Sequence, residues 1–127
     1  MTVVLLALAG GLGAVARFVL DGTVTAALAR RPGGGRYPLG TTVVNLSGSF
    51  LLGVVAGLAA GQLLAAQASL VLGAGFLGGY TTFSTAAYET VRLVERRRWA
   101  AALAHGLGQV VLATALAALG YLVGSTA

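Results

Sequence analysis

One stretch of the sequence combines residues that interrupt helices with side chains that can bind ions. Residues 73–85 read GAGFLGGYTTFST, so the adjacent Gly78 and Gly79 are followed by β-branched residues, a poor helix in isolation. A broken helix presents carbonyl groups, which suit a cation, and the amides of a half-helix N-terminus, which suit an anion. A kink without a ligand is the alternative. It leaves unexplained the four hydroxyl groups that follow the glycine pair: Thr81, Thr82, Ser84 and Thr85.

Polar side chains also recur at helical spacing in two other apolar segments. Asn45, Ser49 and Gly53 are each four residues apart and share one helix face, as do His105 and Gln109. Polar groups in hydrocarbon are expensive unless they pair with one another or face a wet cavity. Two interpretations therefore stay open: hydrogen bonds that join neighbouring helices, or a hydrophilic track across a membrane.

All of these residues lie in segments that are apolar enough to cross a membrane. The chain is 57% hydrophobic and only 9% charged, whereas the surface of a soluble domain carries far more charge. A transmembrane helix needs about 20 mostly apolar residues. The pattern predicts a single all-α membrane domain over residues 1–127, with its third helix broken near residues 78–82, close to the membrane midplane. The four transmembrane helices are predicted at about 2–29, 39–60, 68–95 and 100–123.

The net charge of +5 comes with a one-sided distribution of arginines. The first predicted connection holds Arg30, Arg31 and Arg36, and the third holds Arg96, Arg97 and Arg98. The second connection, residues 61–67, has no charged residue. The positive-inside rule therefore places loops 30–38 and 95–99 in the cytoplasm and accounts for the basic charge without nucleic acid. Because cysteine is absent, disulfides and thiolate metal sites are excluded.

Three segments together resemble the Fluc/CrcB family of fluoride channels. Residues 10–17, GGLGAVAR, look like the family's first-helix glycine motif, which ends in arginine, and residues 40–53 look like its second-helix pattern. Residues 75–85 look like its third-helix signature, the most specific of the three. The resemblance covers essentially the whole chain. It implies a fluoride-selective channel subunit of the cell membrane that exports fluoride passively, lowers its toxicity, and forms an antiparallel dimer with two pores.

The resemblance also implies roles for individual residues. The backbone carbonyls of Gly78 and Thr81 match those that hold a structural sodium ion at the dimer centre, and carbonyl oxygens suit a hard cation. Asn45 matches a pore asparagine that donates an N–H to fluoride, and Phe83 matches a pore phenylalanine whose ring edge is positive. The polar track would continue through the hydroxyl pair Ser84 and Thr85 and then through His105 and Gln109. These last two differ from the hydroxyl-bearing residues of the family.

Two further residues match supporting positions of the family. Arg17 matches the arginine of the first-helix motif, and Glu89 matches a glutamate that follows the third-helix motif. For Arg17 an ion pair with Asp21, four residues further on, stays open as an alternative. For His105 a place at the membrane interface, near Trp99, also stays open.

One departure from the family pattern concerns the second pore phenylalanine. The motif usually continues Phe-Ser-Thr-Phe, but here Ala86 follows Thr85. In the family each pore takes its two phenylalanines from different subunits, so a homodimer of this chain would lack the second ring in both pores. An antiparallel homodimer also needs a chain that inserts in both orientations, which the arginine bias opposes. The favoured partner is therefore a related chain with the opposite arginine bias rather than a second copy.

Two other functions stay open at this point. A small four-helix exporter of cations or drugs would normally need a carboxylate deep in the membrane, whereas Asp21 and Glu89 lie towards predicted helix ends. A non-conducting scaffold subunit of a heterodimeric channel gains weight from Ala86. An enzyme is not predicted, because neither a nucleophile–base arrangement nor a metal constellation is present. The absence of a P-loop pattern predicts that flow is passive.

Overall fold

The computed structural model describes residues 1–30 and 37–127. Within these ranges all regular structure is helical and no β-strand occurs. Arg31 and Arg36, which contributed to the predicted orientation, lie outside the described residues.

Three long helices and one interrupted helix make up the fold. Helix α1 covers Thr2–Ala29, α2 covers Leu39–Ala60 and α5 covers Trp99–Ser125, with mean hydropathies of 2.2, 1.9 and 1.8, respectively. Each is long and apolar enough to cross a membrane, so the chain is a multi-pass membrane protein. Helix α3 (residues 66–80) and helix α4 (Phe83–Glu95) occupy the position of the remaining predicted span.

Helices α3 and α5 each contain a segment that is wound more widely than an α-helix. Val71–Leu77 in α3 and Ala104–Gly108 in α5 form π-helical turns, with an α-helix on either side. Such turns are rare and frequently occur at functional sites. The segment in α5 contains His105, one of the candidate residues.

Between α3 and α4 the backbone leaves the helical conformation for two residues. Thr81 has ψ 159° and Thr82 has φ −147° and ψ 120°, so both are extended. Helix α4 then begins at Phe83 with Thr82 as its N-cap, and the Thr82 hydroxyl oxygen accepts a hydrogen bond from the Thr85 amide at 3.2 Å. The depth of this interruption in a membrane stays a prediction.

Helices α2 and α4 end in the same type of turn. In each, one residue adopts a left-handed conformation, Gln62 with φ 59° and Arg97 with φ 56°. In the turn after α4, the Arg98 amide donates to the Leu93 carbonyl at 2.9 Å, and the Arg97 amide donates to the Val94 carbonyl at 2.8 Å. Equivalent bonds from Leu63 and Gln62 close the turn after α2. Both turns are Schellman motifs, in which glycine usually holds the left-handed position.

Glycines allow the helix backbones to approach closely. A Cβ atom added to Gly79 in α3 would collide with the Gly10 carbonyl oxygen in α1. Helices α2 and α5 make the most extensive contact of the fold, and there Gly53 and Gly120 lie directly against backbone carbonyls of the opposite helix. Because lipid chains are as apolar as leucine, such close van der Waals packing is a main source of helix association.

This packing predicts a difference between two glycine-to-alanine variants. Gly79→Ala should lower the free energy of unfolding by about 1–3 kcal/mol, because the added methyl group must displace the α1 backbone. Gly11→Ala is the matched control, since a Cβ at that position meets no atom within 4 Å. Unfolding of the two variants in detergent micelles measures the difference. Equal stability losses would contradict a close contact between α1 and α3.

Candidate functional site

The interruption between α3 and α4 is held by one side chain of α2. The Asn45 side-chain amide Nδ2 donates to the Thr82 carbonyl at 2.8 Å, and the Thr82 backbone N–H donates to Asn45 Oδ1 at 2.8 Å. Both residues are only 8% exposed. The carboxamide thus takes the place of backbone partners that a continuous helix would supply, which satisfies polar groups that are costly to bury.

This arrangement removes the usual donors of two carbonyl groups. In an α-helix the Gly78 carbonyl would accept from Thr82, and the Thr81 carbonyl would accept from Thr85. Here the Thr82 amide binds Asn45, and the Thr85 amide binds the Thr82 hydroxyl oxygen. Over the described part of the chain, no backbone amide donates to either carbonyl at this interruption. The carbonyls of Gly78 and Thr81 are therefore available as ligands.

A cation site at the interruption would consist of such backbone oxygens. Among the residues that the structure describes, no group of three or more His, Asp or Glu side chains converges. Gly78 is exposed on the surface of the chain. Carbonyl oxygens are hard ligands without a net charge. They therefore fit a hard cation of low charge, such as sodium, which needs no carboxylate to neutralise it.

Two open spaces flank the interruption, and Thr82 lines both. The first, which we call the asparagine groove, has a volume of about 220 Å³ and is lined by Asn45, Ser49, Phe83 and Gln109, among others. The second, which we call the arginine cavity, has a volume of about 280 Å³. It is lined by residues of α1, α2 and α4 that include Arg17, Asp21, Thr41 and Thr85.

The structure therefore brings together only part of the predicted pore. Asn45, Phe83 and Gln109 share the asparagine groove, whereas Thr85 lines the arginine cavity with Arg17. Ser84 is exposed and lines neither space; its hydroxyl lies 3.4 Å from that of Thr82.

The alternative ion pair of Arg17 with Asp21 does not form in the structure as described. Both side chains line the arginine cavity, but the Asp21 carboxylate lies against the backbone of α2 at Gly40. The Arg17 guanidinium is therefore not neutralised by the acid four residues along its own helix.

His105 belongs to a buried hydrogen-bond network beside these spaces. Its ring is 1% exposed, with Nε2 at 3.2 Å from Glu89 Oε2 and Nδ1 at 3.2 Å from the Thr42 hydroxyl oxygen. The other carboxylate oxygen of Glu89 accepts from the Thr41 hydroxyl at 3.0 Å. The ring is enclosed between α2 and α4, and whether it lies at the level of the membrane interface stays a prediction. The Thr42 hydroxyl is also within 3.3 Å of Gln109 Oε1, so the network reaches the asparagine groove.

Two threonines of the site, Thr41 and Thr42, were not singled out from the sequence. Thr82 was named only as one of the four hydroxyl residues after the glycine pair, without a role of its own. One signal was present for Thr41, which precedes Asn45 by four residues and so shares its helix face. A second signal was the need of a buried asparagine for partners, combined with a helix interruption elsewhere in the chain. Thr42 carried no such signal, because a threonine on a membrane helix often bonds only to its own backbone.

Phe83 and Ala86, three residues apart on α4, lie in opposite environments. Phe83 is 81% exposed at the edge of the asparagine groove, whereas Ala86 is 9% exposed within the chain's own core. A ring so exposed contributes little to the packing of this chain. It is available to an occupant of the groove or to a neighbouring subunit.

Comparison with known proteins identifies the family. The family model described as "CrcB-like protein, Camphor Resistance (CrcB)" matches residues 4–121. The chain is 50% identical to Fluoride-specific ion channel FluC 1 of Leifsonia xyli subsp. xyli, over 100% of this chain and 89% of that protein. It is 53% identical to FluC 2 of Mycolicibacterium paratuberculosis, over 90% of this chain and 86% of the relative. It is 42% identical to FluC 1 of Geobacillus kaustophilus, over 93% of both chains. The resemblance seen in the three helix motifs is confirmed, and the chain belongs to the CrcB-like family.

Proposed function

We propose that the chain is one subunit of a fluoride-selective channel that lets fluoride leave the cytoplasm passively. One observation carries the proposal: an open groove beside a broken helix presents uncharged donors and an exposed aromatic ring. The identity of the ion is supported by the relatives, which are named fluoride-specific ion channels and match over most or all of this chain.

The chemistry of the groove suits a small, strongly hydrated anion. A selective path must replace water with N–H and O–H donors, yet bind weakly enough at several positions for the ion to leave. The Asn45 side chain has two N–H groups, and only one is needed for the bond to the Thr82 carbonyl. The Gln109 carbonyl oxygen faces Thr42, so its NH₂ group is the end left for an anion. The edge of the Phe83 ring adds a weak positive contact.

Polar residues on either side extend this path in the proposal. Ser84 and Thr85 supply hydroxyl groups next to the interruption, and His105 and Glu89 form the buried network behind the groove. Arg17 lies in the arginine cavity, where its guanidinium is a donor for an anion, although the cavity also holds the Asp21 carboxylate.

The exposed surfaces of the groove support an antiparallel dimer. Phe83 and Gly78 are both exposed on the single chain, so a second subunit is needed to enclose the path. We propose that the carbonyls of Gly78 and Thr81 from both subunits hold a structural sodium ion at the dimer interface. When bound, this ion supplies a fixed positive charge and links the two subunits. The carbonyls meet this role because their helical donors are engaged elsewhere.

Two features support a related but different chain as the partner. Position 86 is a buried alanine, so a pair of identical subunits would provide one phenylalanine per pore. The arginines lie in the first and third connections, which supports one orientation with loops 30–38 and 95–99 in the cytoplasm. Relatives numbered FluC 1, FluC 2 and FluC 3 are consistent with organisms that hold several such chains.

The buried alanine also supports a second function, a non-conducting scaffold subunit. If the partner supplies both rings of the single working pore, this chain would serve mainly to enclose that pore. The two functions differ in what Phe83 does, which the third prediction below tests.

The first of three predictions from the proposed function concerns fluoride efflux from liposomes. The chain alone should release fluoride slowly or not at all, and co-reconstitution with a related chain of opposite arginine bias should restore release. A fluoride electrode measures the rate, with chloride efflux as the selectivity control. Rapid efflux from the chain alone would contradict obligate pairing. The absence of fluoride efflux from both preparations would contradict the channel itself.

The second prediction concerns the bond between Asn45 and Thr82. Asn45→Ala leaves the buried amide and carbonyl of Thr82 without partners, at about 1–3 kcal/mol for each group, and should lower both the free energy of unfolding and fluoride efflux. Ser49→Ala is the control, since Ser49 lines the same groove one helical turn away. Unfolding in detergent and efflux are measured together. An unchanged stability of Asn45→Ala would show that the interruption does not depend on this side chain.

The third prediction compares two phenylalanines in the assembled complex. Phe83→Leu should reduce fluoride efflux at least about tenfold, equivalent to about 1.4 kcal/mol, because it removes the polarised ring edge at the groove. Phe18→Leu is the comparison, because Phe18 is also 81% exposed but lines the arginine cavity instead of the asparagine groove. It should reduce efflux less than Phe83→Leu does. If Phe83→Leu leaves efflux unchanged, the scaffold function is the better account.

A further inference from the structure

The turn between α4 and α5 concentrates positive charge at one point of the surface. Residues 92–98 include four arginines and one glutamate, a net charge of +3. The glutamate, Glu95, forms an ion pair with Arg92 at 3.8 Å. The three consecutive arginines of the turn, Arg96, Arg97 and Arg98, have no such acidic partner among the described residues. We call these three residues the arginine turn.

The conformation of the arginine turn is unfavourable for the residue at its centre. Arg97 adopts the left-handed conformation that a Schellman motif requires, where glycine has no steric cost. Residues held in sparsely populated conformations concentrate at functional sites. An arginine at this position therefore indicates a role for its charge.

The turn after α2 shows that the geometry itself does not require a charge. It has the same two backbone hydrogen bonds and the same left-handed position, but there the residue is the uncharged Gln62. The two turns lie at opposite ends of the segment formed by α3 and α4. One fold thus contains two equivalent turns, of which only one is basic.

The arginine turn can bind an anion only through its side chains. The amides of Arg96, Arg97 and Arg98 all donate to carbonyls at the end of α4, so they are not free to bind a ligand. Arg96 and Arg97 are exposed and Arg98 is half-buried. Guanidinium groups form paired, charge-assisted hydrogen bonds with phosphate oxygens, which matches the planar donor geometry of arginine.

Aromatic residues place the arginine turn at the level of lipid headgroups. Trp99 follows the turn directly and is 64% exposed. Tyr88 is also largely exposed, and the Arg92 guanidinium lies over its ring at 5.7 Å from the centroid. Exposed tryptophan and tyrosine are enriched where the hydrocarbon core meets the headgroups, because their rings are amphipathic. A phosphate bound at the turn would thus belong to a lipid of the adjacent leaflet.

We propose that the arginine turn is a binding site for the headgroup phosphate of an anionic phospholipid. Arg96, Arg97 and Arg98 bind the phosphate, and Trp99 lies beside the upper part of the acyl chains. The site holds the end of α4, the helix that begins with Phe83, at a fixed depth in the membrane. This role does not depend on which ion the protein transports.

Trp99 provides the test, because it is the only tryptophan of the chain. The full chain is reconstituted in phosphatidylcholine vesicles that contain a small fraction of either brominated phosphatidylglycerol or brominated phosphatidylcholine. Quenching of Trp99 fluorescence then reports which lipid is adjacent. We expect the anionic lipid to quench at a lower mole fraction. Arg97→Gln should reduce this preference about fivefold, which corresponds to about 1 kcal/mol for each basic residue at an anionic surface.

Glycine variants separate the charge from the backbone conformation. Arg97→Gly should raise the thermal stability, because it relieves the left-handed conformation, and should reduce the lipid preference as much as Arg97→Gln does. Gln62→Gly is the matched control, which should raise the thermal stability and leave the lipid preference unchanged. Equal quenching by the two lipids, or an unchanged preference when all three arginines are replaced by glutamine, would overturn the proposal. Displacement of the anionic lipid by inorganic phosphate, but not by chloride at the same ionic strength, would also overturn it, since the site would then bind a soluble anion.

Discussion

Backbone amide and carbonyl groups have no water to bind within hydrocarbon, so a membrane helix can be interrupted only where other groups replace its hydrogen bonds. In this chain Asn45 of α2 is that replacement, because it binds both the amide and the carbonyl of Thr82. The rest of the site follows from this exchange. It leaves the carbonyls of Gly78 and Thr81 without their helical donors and allows Thr82 to cap α4. Phe83, whose ring is exposed, is therefore the first residue of α4 and does not continue α3.

The asparagine can reach the interruption only because the helices lie unusually close together. Gly48, three residues after Asn45 on α2, lies directly against Tyr80 and Thr81, and a larger side chain at this position would separate α2 from the interruption. The same closeness encloses His105 and Glu89 in a network with hydroxyl groups of α2. Polar groups are thus satisfied within the chain, while most of its large apolar side chains remain exposed to lipid or to a partner.

Much of the helical architecture could be predicted from the sequence, because charge-free apolar segments have few other solutions in a membrane. The family could also be predicted, since the segment around Gly78 and Thr82 is specific. The side-chain contacts within the site could not be predicted. That Thr85 faces the arginine cavity while Phe83 faces the asparagine groove depends on where α4 begins. His105 was open to an interfacial position because a lone histidine near Trp99 gives no sign of the carboxylate that binds it.

The π-helical turn at Ala104–Gly108 also determines how the rest of α5 is oriented. Relative to an α-helix, a π turn accommodates about one additional residue, and each residue of an α-helix corresponds to a rotation of about 100°. Residues beyond Gln109 are therefore out of phase with those before Ala104. Within the turn His105 contacts Glu89 and Thr42, and beyond it Gly120 and Gly124 of the same helix lie against α2. Deletion of one residue from this turn would rotate the glycine face away from α2 without changing any side chain in either contact, so the length of this segment is as constrained as its composition.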